Sequence, residues 1–304
     1  MRFALTHPMM SHPHDPGLST GEGVAAIAEA AETAGFDGFG FTDHPAPGRR
    51  WLESGGHDAL DPFAALGFVA ARTSTIRLVP NLVVLPYRNP FVVAKAGATL
   101  DCLSGGRFTL AVGAGHQKAE FAALGVDIEE RAALMDEALR AIHAIWTGDD
   151  ITLEGRHFDA RRITAHPRPA TQPRPPIWVG GNTGAARQRV VVHGEGWCPF
   201  PAPPALAERT GSAPMDTDDL LRAGIDDLRR RLDSAGRDPD GVDVAFSAYN
   251  RPPTTAEEAE PVLERIDQLA ALGVTWTYLS VPLGPVDAVV DALGHYAELV
   301  LTER

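Results

Sequence analysis

Residues 180–184 read Gly-Gly-Asn-Thr-Gly, set between an apolar triplet (Ile177, Trp178, Val179) and a helix-like run that contains Arg187. Glycines let the main chain approach a ligand closely, and the first N–H groups of a helix have no intrahelical acceptor. The amides of Gly181, Asn182, Thr183 and Gly184, aligned with the helix dipole, form an anion-binding corner suited to a phosphate. Thr183 is placed to cap the helix, and a bound anion would offset the unfavourable position of Arg187 in the first turn. The alternative on spacing alone is a strand-to-helix turn whose glycines serve packing.

Histidines supply the acid–base chemistry. His44 closes "GFGFTDH" directly after a strand-like run, and His7 takes the same place after the first one. In "VGAGHQKAEF", Gly113 and Gly115 make room for a flat ligand, His116 can give or take a proton, and Glu120 follows one turn later. Asn81 and Leu82 sit inside "VPNLVVLP", where prolines on both sides signal unusual backbone geometry. The remaining histidines read as structural. His12 and His14 form a His-x-His pair of the kind found in metal-dependent hydrolases. Those enzymes also need ligands on middle strands and an aspartate ending the last strand. Here the fifth strand ends in glycines and the eighth in Val281-Pro282, so no metal site is expected.

The elements that must hold these residues alternate in type along the chain. Strand-like segments at 3–5, 38–42, 76–85, 108–112, 177–179, 196–200, 242–246 and 276–281 are each followed by a helix-like run. Eight such units predict an α/β chain folded as a single (β/α)8 TIM barrel over residues 1–304, whose strand C-termini form the active face. A doubly wound open sheet is the competitor. It usually needs six strands and a glycine fingerprint after the first, where this chain has His7-Pro8. Residues 149–176 break the rhythm and predict a small hairpin with a proline-rich return, inserted between units. The loop 199–216, rich in proline and small residues, is expected to act as a mobile lid.

Composition narrows the partners. Of the 304 residues, 44% are hydrophobic and 22% charged, and the net charge is −13 with no Lys/Arg-rich run. That argues against nucleic acid or an anionic membrane, which need clustered cations. Cys102 and Cys198 lie far apart without metal or redox spacing, as expected of small core residues in a reducing compartment. No basic-plus-apolar leader opens the chain, and the apolar runs fall short of the roughly 20 residues of a membrane span. A soluble, cytoplasmic protein is the expectation.

Several stretches, in order and at similar spacing, resemble the bacterial-luciferase-like flavin and deazaflavin oxidoreductases. They are "AETAGFDGFGFTDH", "LPYRNPFVVAKAGATLDCLSGGRFTLAVGAG", "FAALGV", "LEGRHF", "PPIWVGGNTGAARQRVVVHGEGW" and "LAALGVTWTYLSV". The chain is most similar to the branch that uses coenzyme F-420, an 8-hydroxy-5-deazaflavin. The resemblance implies a homodimer in which Gly180, Gly181, Asn182 and Thr183 hold the cofactor phosphate, with Arg187 beside them. It places His44 next to the ring, counts Gly113 among the cofactor-binding residues, and puts a cis peptide near Asn81–Leu82 behind the ring. His116 stands where sugar-phosphate-oxidising members carry a glutamate as general acid. Arg49, Arg50 and Arg88 are the candidates for an anionic cofactor tail. The implied reaction is hydride transfer between the deazaflavin and a small organic substrate, with His44 or His116 handling the proton. The alternatives are an FMN-dependent monooxygenase using reduced flavin and oxygen, and a deazaflavin-binding protein without turnover.

Overall fold

The computed structural model describes residues 1–248 and 250–302. Its first strand, β1 (Arg2–Thr6), buries Phe3, Ala4 and Leu5 in succession rather than alternately. Burial of both faces is the mark of a strand in a helix-covered parallel sheet. The same run of buried positions recurs in β2 (Gly38–Gly40), β5 (Leu110–Gly113) and β9 (Gly196–Cys198). The other strands of the sheet are β3 (Arg77–Leu78), β4 (Val83–Val84), β8 (Ile177–Gly180), β10 (Asp243–Ser247) and β11 (Trp276–Tyr278). All nine are parallel, in the order β3-β2-β1-β11-β10-β9-β8-β5-β4. The sheet curls until its edges meet: Leu78 bridges Phe108, with Leu78 N–H donating to Arg107 O at 2.9 Å and Thr109 N–H to Leu78 O at 3.0 Å. Ala4, Val79, Ala111, Trp178, Cys198, Ala245 and Trp276 fill the interior.

The covering helices are α1 (Gly21–Ala34), α3 (Pro62–Arg72), α4 (Pro90–Ser104), α6 (Arg131–Thr147), α7 (Gly184–His193), α9 (Asp218–Ser234), α10 (Ala256–Leu272) and α11 (Val286–Tyr296). Capping side chains fix where many of them begin. Thr20, Asp61, Asn89, Thr183, Thr217 and Thr255 each accept from an amide of the first turn, and Pro62 and Pro90 open their helices. The inserted hairpin forms as expected, from β6 (Ile151–Gly155) and β7 (Phe158–Ile163), antiparallel and separate from the main sheet. No helix among the described residues is long and apolar enough to cross a membrane.

One expectation is corrected, and a loop gains internal structure. The third strand is two short ones, β3 and β4, with the chain bending at Asn81 between them, where the Asn81–Leu82 peptide is cis. The loop 199–216 carries a short helix, α8 (Pro204–Thr210), and is clasped at its base by reciprocal Ala202–Met215 main-chain hydrogen bonds of 3.3 and 2.9 Å. Two further short helices, α2 (Arg49–Glu53) and α5 (Lys118–Ala123), lie in what reads as loop.

Candidate active site

A cavity of about 250 Å³ opens at the C-terminal ends of β2, β4, β5 and β8. Thr42, Asp43 and His44 line it from one side, Gly113 through Gln117 from another, and residues 180–183 from a third. Asn81, Leu82, Phe200 and Thr210 through Ser212 complete the wall. His44, His116, Asn81, Leu82, Gly113, Gly180, Gly181, Asn182 and Thr183 therefore come together, although up to 139 positions separate them in the chain.

The glycine corner differs in detail from its sequence reading. Gly181 has φ of +114°, a conformation open to glycine, but its N–H donates to Cys198 O at 3.2 Å and is not available to a ligand. Asn182 is buried, and its side chain secures the neighbouring loop. Its Oδ1 accepts from Phe200 N–H, and its Nδ2 donates to Phe200 O and Ala213 O, all at 2.9 Å. Thr183 caps α7 through Ala186 N–H at 3.4 Å. The helix start itself still faces the cavity, whose wall includes Thr183 and Ala186.

Arg187 does not line the cavity. Its Nε donates to Asp227 at 2.6 Å, Nη1 donates to Asn182 O at 2.9 Å, and the guanidinium lies 5.4 Å from the Trp197 ring centre. The first turn of α7 is thus relieved of this positive charge by a carboxylate rather than by a ligand. The cations on the wall are Arg131 and Arg189, which the sequence reading passed over. Arg189 pairs with Asp136 at 2.6 Å, and Arg131 donates to Ile128 O at 2.9 Å. Of the arginines proposed for a cofactor tail, Arg88 is locked against Asp43 and Asp61, and Arg49 pairs with Glu53.

Leu82 explains two of the glycines. A Cβ on Gly180 would lie 2.2 Å from Leu82 Cδ2, and one on Gly113 2.5 Å from Cδ1. Both glycines make space for the Leu82 side chain, which the turn after β3 brings across the barrel mouth.

His44 is held from beneath. Its Nδ1 lies 3.0 Å from Oε2 of Glu120, which is fully buried on α5. Tyr87 O–H donates to the same oxygen at 2.9 Å, and Ala46 N–H to Oε1 at 3.2 Å. Burial works to raise the Glu120 pKa, but the bonds from His44, Tyr87 and Ala46 outweigh it, and the net shift is downward. An ionised carboxylate accepts only, so the contact is made with His44 Nδ1 as the donor. Burial, and then the negative charge of Glu120, push the Tyr87 hydroxyl upward, so it stays a donor. The next residue back, Asp43, accepts from Val84 N–H and, at 2.8 Å, from Arg88 Nη2. Above His44 the Trp51 ring lies 4.5 Å away and His57 4.9 Å away. His116 faces the same space. Burial, then proximity to His44, lowers its pKa and favours the neutral ring.

His7 is buried away from the cavity, with Nε2 on Leu18 O at 2.8 Å. His12 and His14 both rest on Asp58, at 3.0 and 2.7 Å, and tie the loop 6–15 to the loop 45–60. Among the described residues no cluster of three or more His, Cys, Asp or Glu side chains is arranged to hold a metal ion. Tyr87, Arg131, Arg189 and the Glu120–His44 contact were missed from the sequence. Tyr87 and Glu120 are 43 and 76 positions from His44, and no local pattern links them.

Residues 1–273 match the family model described as luciferase-like monooxygenase. The F420-dependent glucose-6-phosphate dehydrogenase of Nakamurella multipartita is 34% identical over 218 residues, 69% of this chain and 60% of that protein. Its namesake from Beutenbergia cavernae is 37% identical over 178 residues, 57% of this chain and 51% of that protein. The chain thus spans less than two thirds of the length of these relatives. The 4-hydroxyprotoasukamycin monooxygenase of Streptomyces nodosus subsp. asukaensis is 29% identical, with 98% of this chain and 76% of that protein aligned. Among solved structures, the monooxygenase RslO1 from Streptomyces bottropensis superimposes with a TM-score of 0.84 at 22% identity, covering 100% of this chain and 99% of that one. An F420-dependent secondary alcohol dehydrogenase bound to an F420-acetone adduct gives 0.77 at 18% identity, with the same coverage. These two likenesses speak for the fold alone. By the match over residues 1–273, the chain belongs to the luciferase-like monooxygenase family.

Proposed function

We propose that this chain is a (β/α)8-barrel oxidoreductase that binds coenzyme F-420 and uses it for hydride transfer with a small organic substrate. The observation that carries the reading is the juxtaposition, in one cavity, of the open helix start at residues 183–186 with His44 backed by a buried carboxylate. The sequence relatives named for F420-dependent dehydrogenation support the choice of cofactor. The residues present fit the group. The start of α7, with Arg131 and Arg189 alongside, suits its phosphate, and Leu82 offers an apolar floor for the ring.

When bound, the deazaflavin supplies the hydride chemistry. The chain's own residues orient and handle the proton. Gly180, Gly181 and Thr183 shape the phosphate corner, and Asn182 acts through the loop it secures. Gly113 and Leu82 set the depth at which a ring rests. His44 Nε2 takes the proton from a substrate hydroxyl in the oxidising direction and returns it in the reverse one. His116 stands across the cavity as a second donor or acceptor.

Titration with purified F-420 and, separately, with FMN, followed by tryptophan fluorescence, tests this. Binding of the deazaflavin, with hydride exchange to an added alcohol or carbonyl, is the expected result. Binding of FMN alone would favour the second reading, a flavin monooxygenase. That reading has a specific support in the near full-length alignment to the Streptomyces nodosus enzyme. Tight deazaflavin binding with no exchange would leave a carrier protein. We further read the chain as a cytoplasmic homodimer. The exposed Phe68 on α3, together with Val92 and Leu103 on α4, offers the apolar surface for association, and light scattering in solution measures it.

A further inference from the structure

The His44 imidazole touches Glu120 below it, and Tyr87 and the Ala46 amide touch the same carboxylate. Glu120 is fully buried, and its exclusion from water leaves those three donors to satisfy both oxygens. A buried carboxylate is costly unless it is paired and hydrogen-bonded, and of its three donors the one that lines the cavity and can carry charge is His44. Ala46 lies in the loop that also carries Trp51 and His57, so one carboxylate ties that loop, the 3₁₀ turn at Leu85–Tyr87 and α5 together.

We propose that Glu120 is a positioning residue that holds the His44 imidazole in the Nδ1–H tautomer, with Tyr87 as its anchor, so that Nε2 faces the substrate. The inference rests on the reading of His44 as the proton-handling group. Neutral imidazole free in water populates both tautomers, and a ring with its proton on Nε2 cannot accept the substrate proton there. The charged and titratable groups around His44 are Glu120 on α5, Tyr87 on the 3₁₀ turn, His57 in the following loop, His116 after β5, and the Asp43–Arg88 pair.

The test is two-bond ¹⁵N–¹H NMR of the full-length protein at neutral pH, without cofactor, alongside steady-state kinetics with F-420. In the unmodified protein His44 should give one tautomer, with Nδ1 protonated. Glu120→Leu should bring up the Nε2–H tautomer and lower kcat on the order of 10²-fold, with KM for substrate little changed. Glu120→Asp should restore the tautomer and part of the rate. Tyr87→Phe, which keeps the ring and removes only the hydroxyl donor, should cause a smaller loss in kcat and partial tautomer mixing. A wild-type spectrum with Nε2 protonated, or an unchanged His44 spectrum in folded Glu120→Leu and Tyr87→Phe, overturns the proposal. If the tautomers respond as expected but no variant or parent turns over F-420, the failure lies with the assigned function and the positioning role stands.

Discussion

Leu82 occupies the space that a side chain on Gly180 would need, with Cδ2 only 2.2 Å from the position of such a Cβ. Its other methyl stands 2.5 Å from where a Cβ on Gly113 would lie, so the one leucine fills the space beside both glycines. Gly180→Ala should therefore cost about 1–3 kcal/mol of stability through overpacking. Leu82→Ala in the same chain should return a good part of it. Urea denaturation of the two single variants and the double variant gives the coupling, and additive effects would contradict this packing.

Gly181 presents a different constraint. A Cβ there has room, 3.4 Å from Ala186 Cβ, but φ of +114° is strained for any L side chain. Gly181→Ala is expected to destabilise by roughly 1–3 kcal/mol and to weaken cofactor binding by shifting the start of α7. Arg131→Ala and Arg189→Ala should leave the fold in place and weaken binding in a salt-dependent way. Calorimetry at low and high ionic strength separates the two effects. Equal loss at both salts for the arginine variants would remove those cations from the site.

The Asp43–Arg88 pair fixes the residue next to His44. Burial opposes the arginine charge, but Asp43 and Asp61 more than compensate and raise its pKa. Arg88→Met leaves the Asp43 carboxylate buried without its partner, and a loss of about 3–5 kcal/mol follows. Replacing both, as Asp43→Asn with Arg88→Met, should recover much of that. Thermal unfolding of the three proteins is the measurement.

His7 gives the molecule an acid-sensitive point. Burial first, offset in part by the bond to Leu18 O and aided by His14, lowers its pKa to about 4 from 6.5. The unfolded chain binds a proton there below 6.5, whereas the folded chain does not until about 4, so stability falls as pH drops across that window. The contribution is roughly 3 kcal/mol, fully present above 6.5 and absent below 4. His7→Gln should flatten the slope of unfolding free energy between pH 6.5 and 4. An unchanged slope would remove His7 as its source.

Much of the fold was readable because it rests on local signals. Thr183 caps α7 at the position its type and neighbours indicate. The apolar runs at 3–5 and 108–112 read as strands, and β1 (Arg2–Thr6) and β5 (Leu110–Gly113) form there, shifted by one or two residues at their ends. The hairpin at 149–176 is visible as a break in an otherwise regular alternation. Where the chain departs from its local pattern, as at the Asn81 bend, an apolar run that reads as one strand over 76–85 folds as two.

The sequence by itself determined the alternation of strands and helices, the glycine corner after β8 and the presence of histidines at strand ends, since each follows from residues within a few positions of one another. Only the tertiary structure decided what those residues face. It gave the Gly181 amide to Cys198, the Asn182 side chain to the loop above, and Arg187 to Asp227. It also set Glu120 under His44 and Leu82 against two glycines from different strands. The reason is physical. Caps and strand burial are set by short-range sterics and hydrogen bonds, whereas partners tens of residues apart are chosen when the curled sheet closes the distance between them.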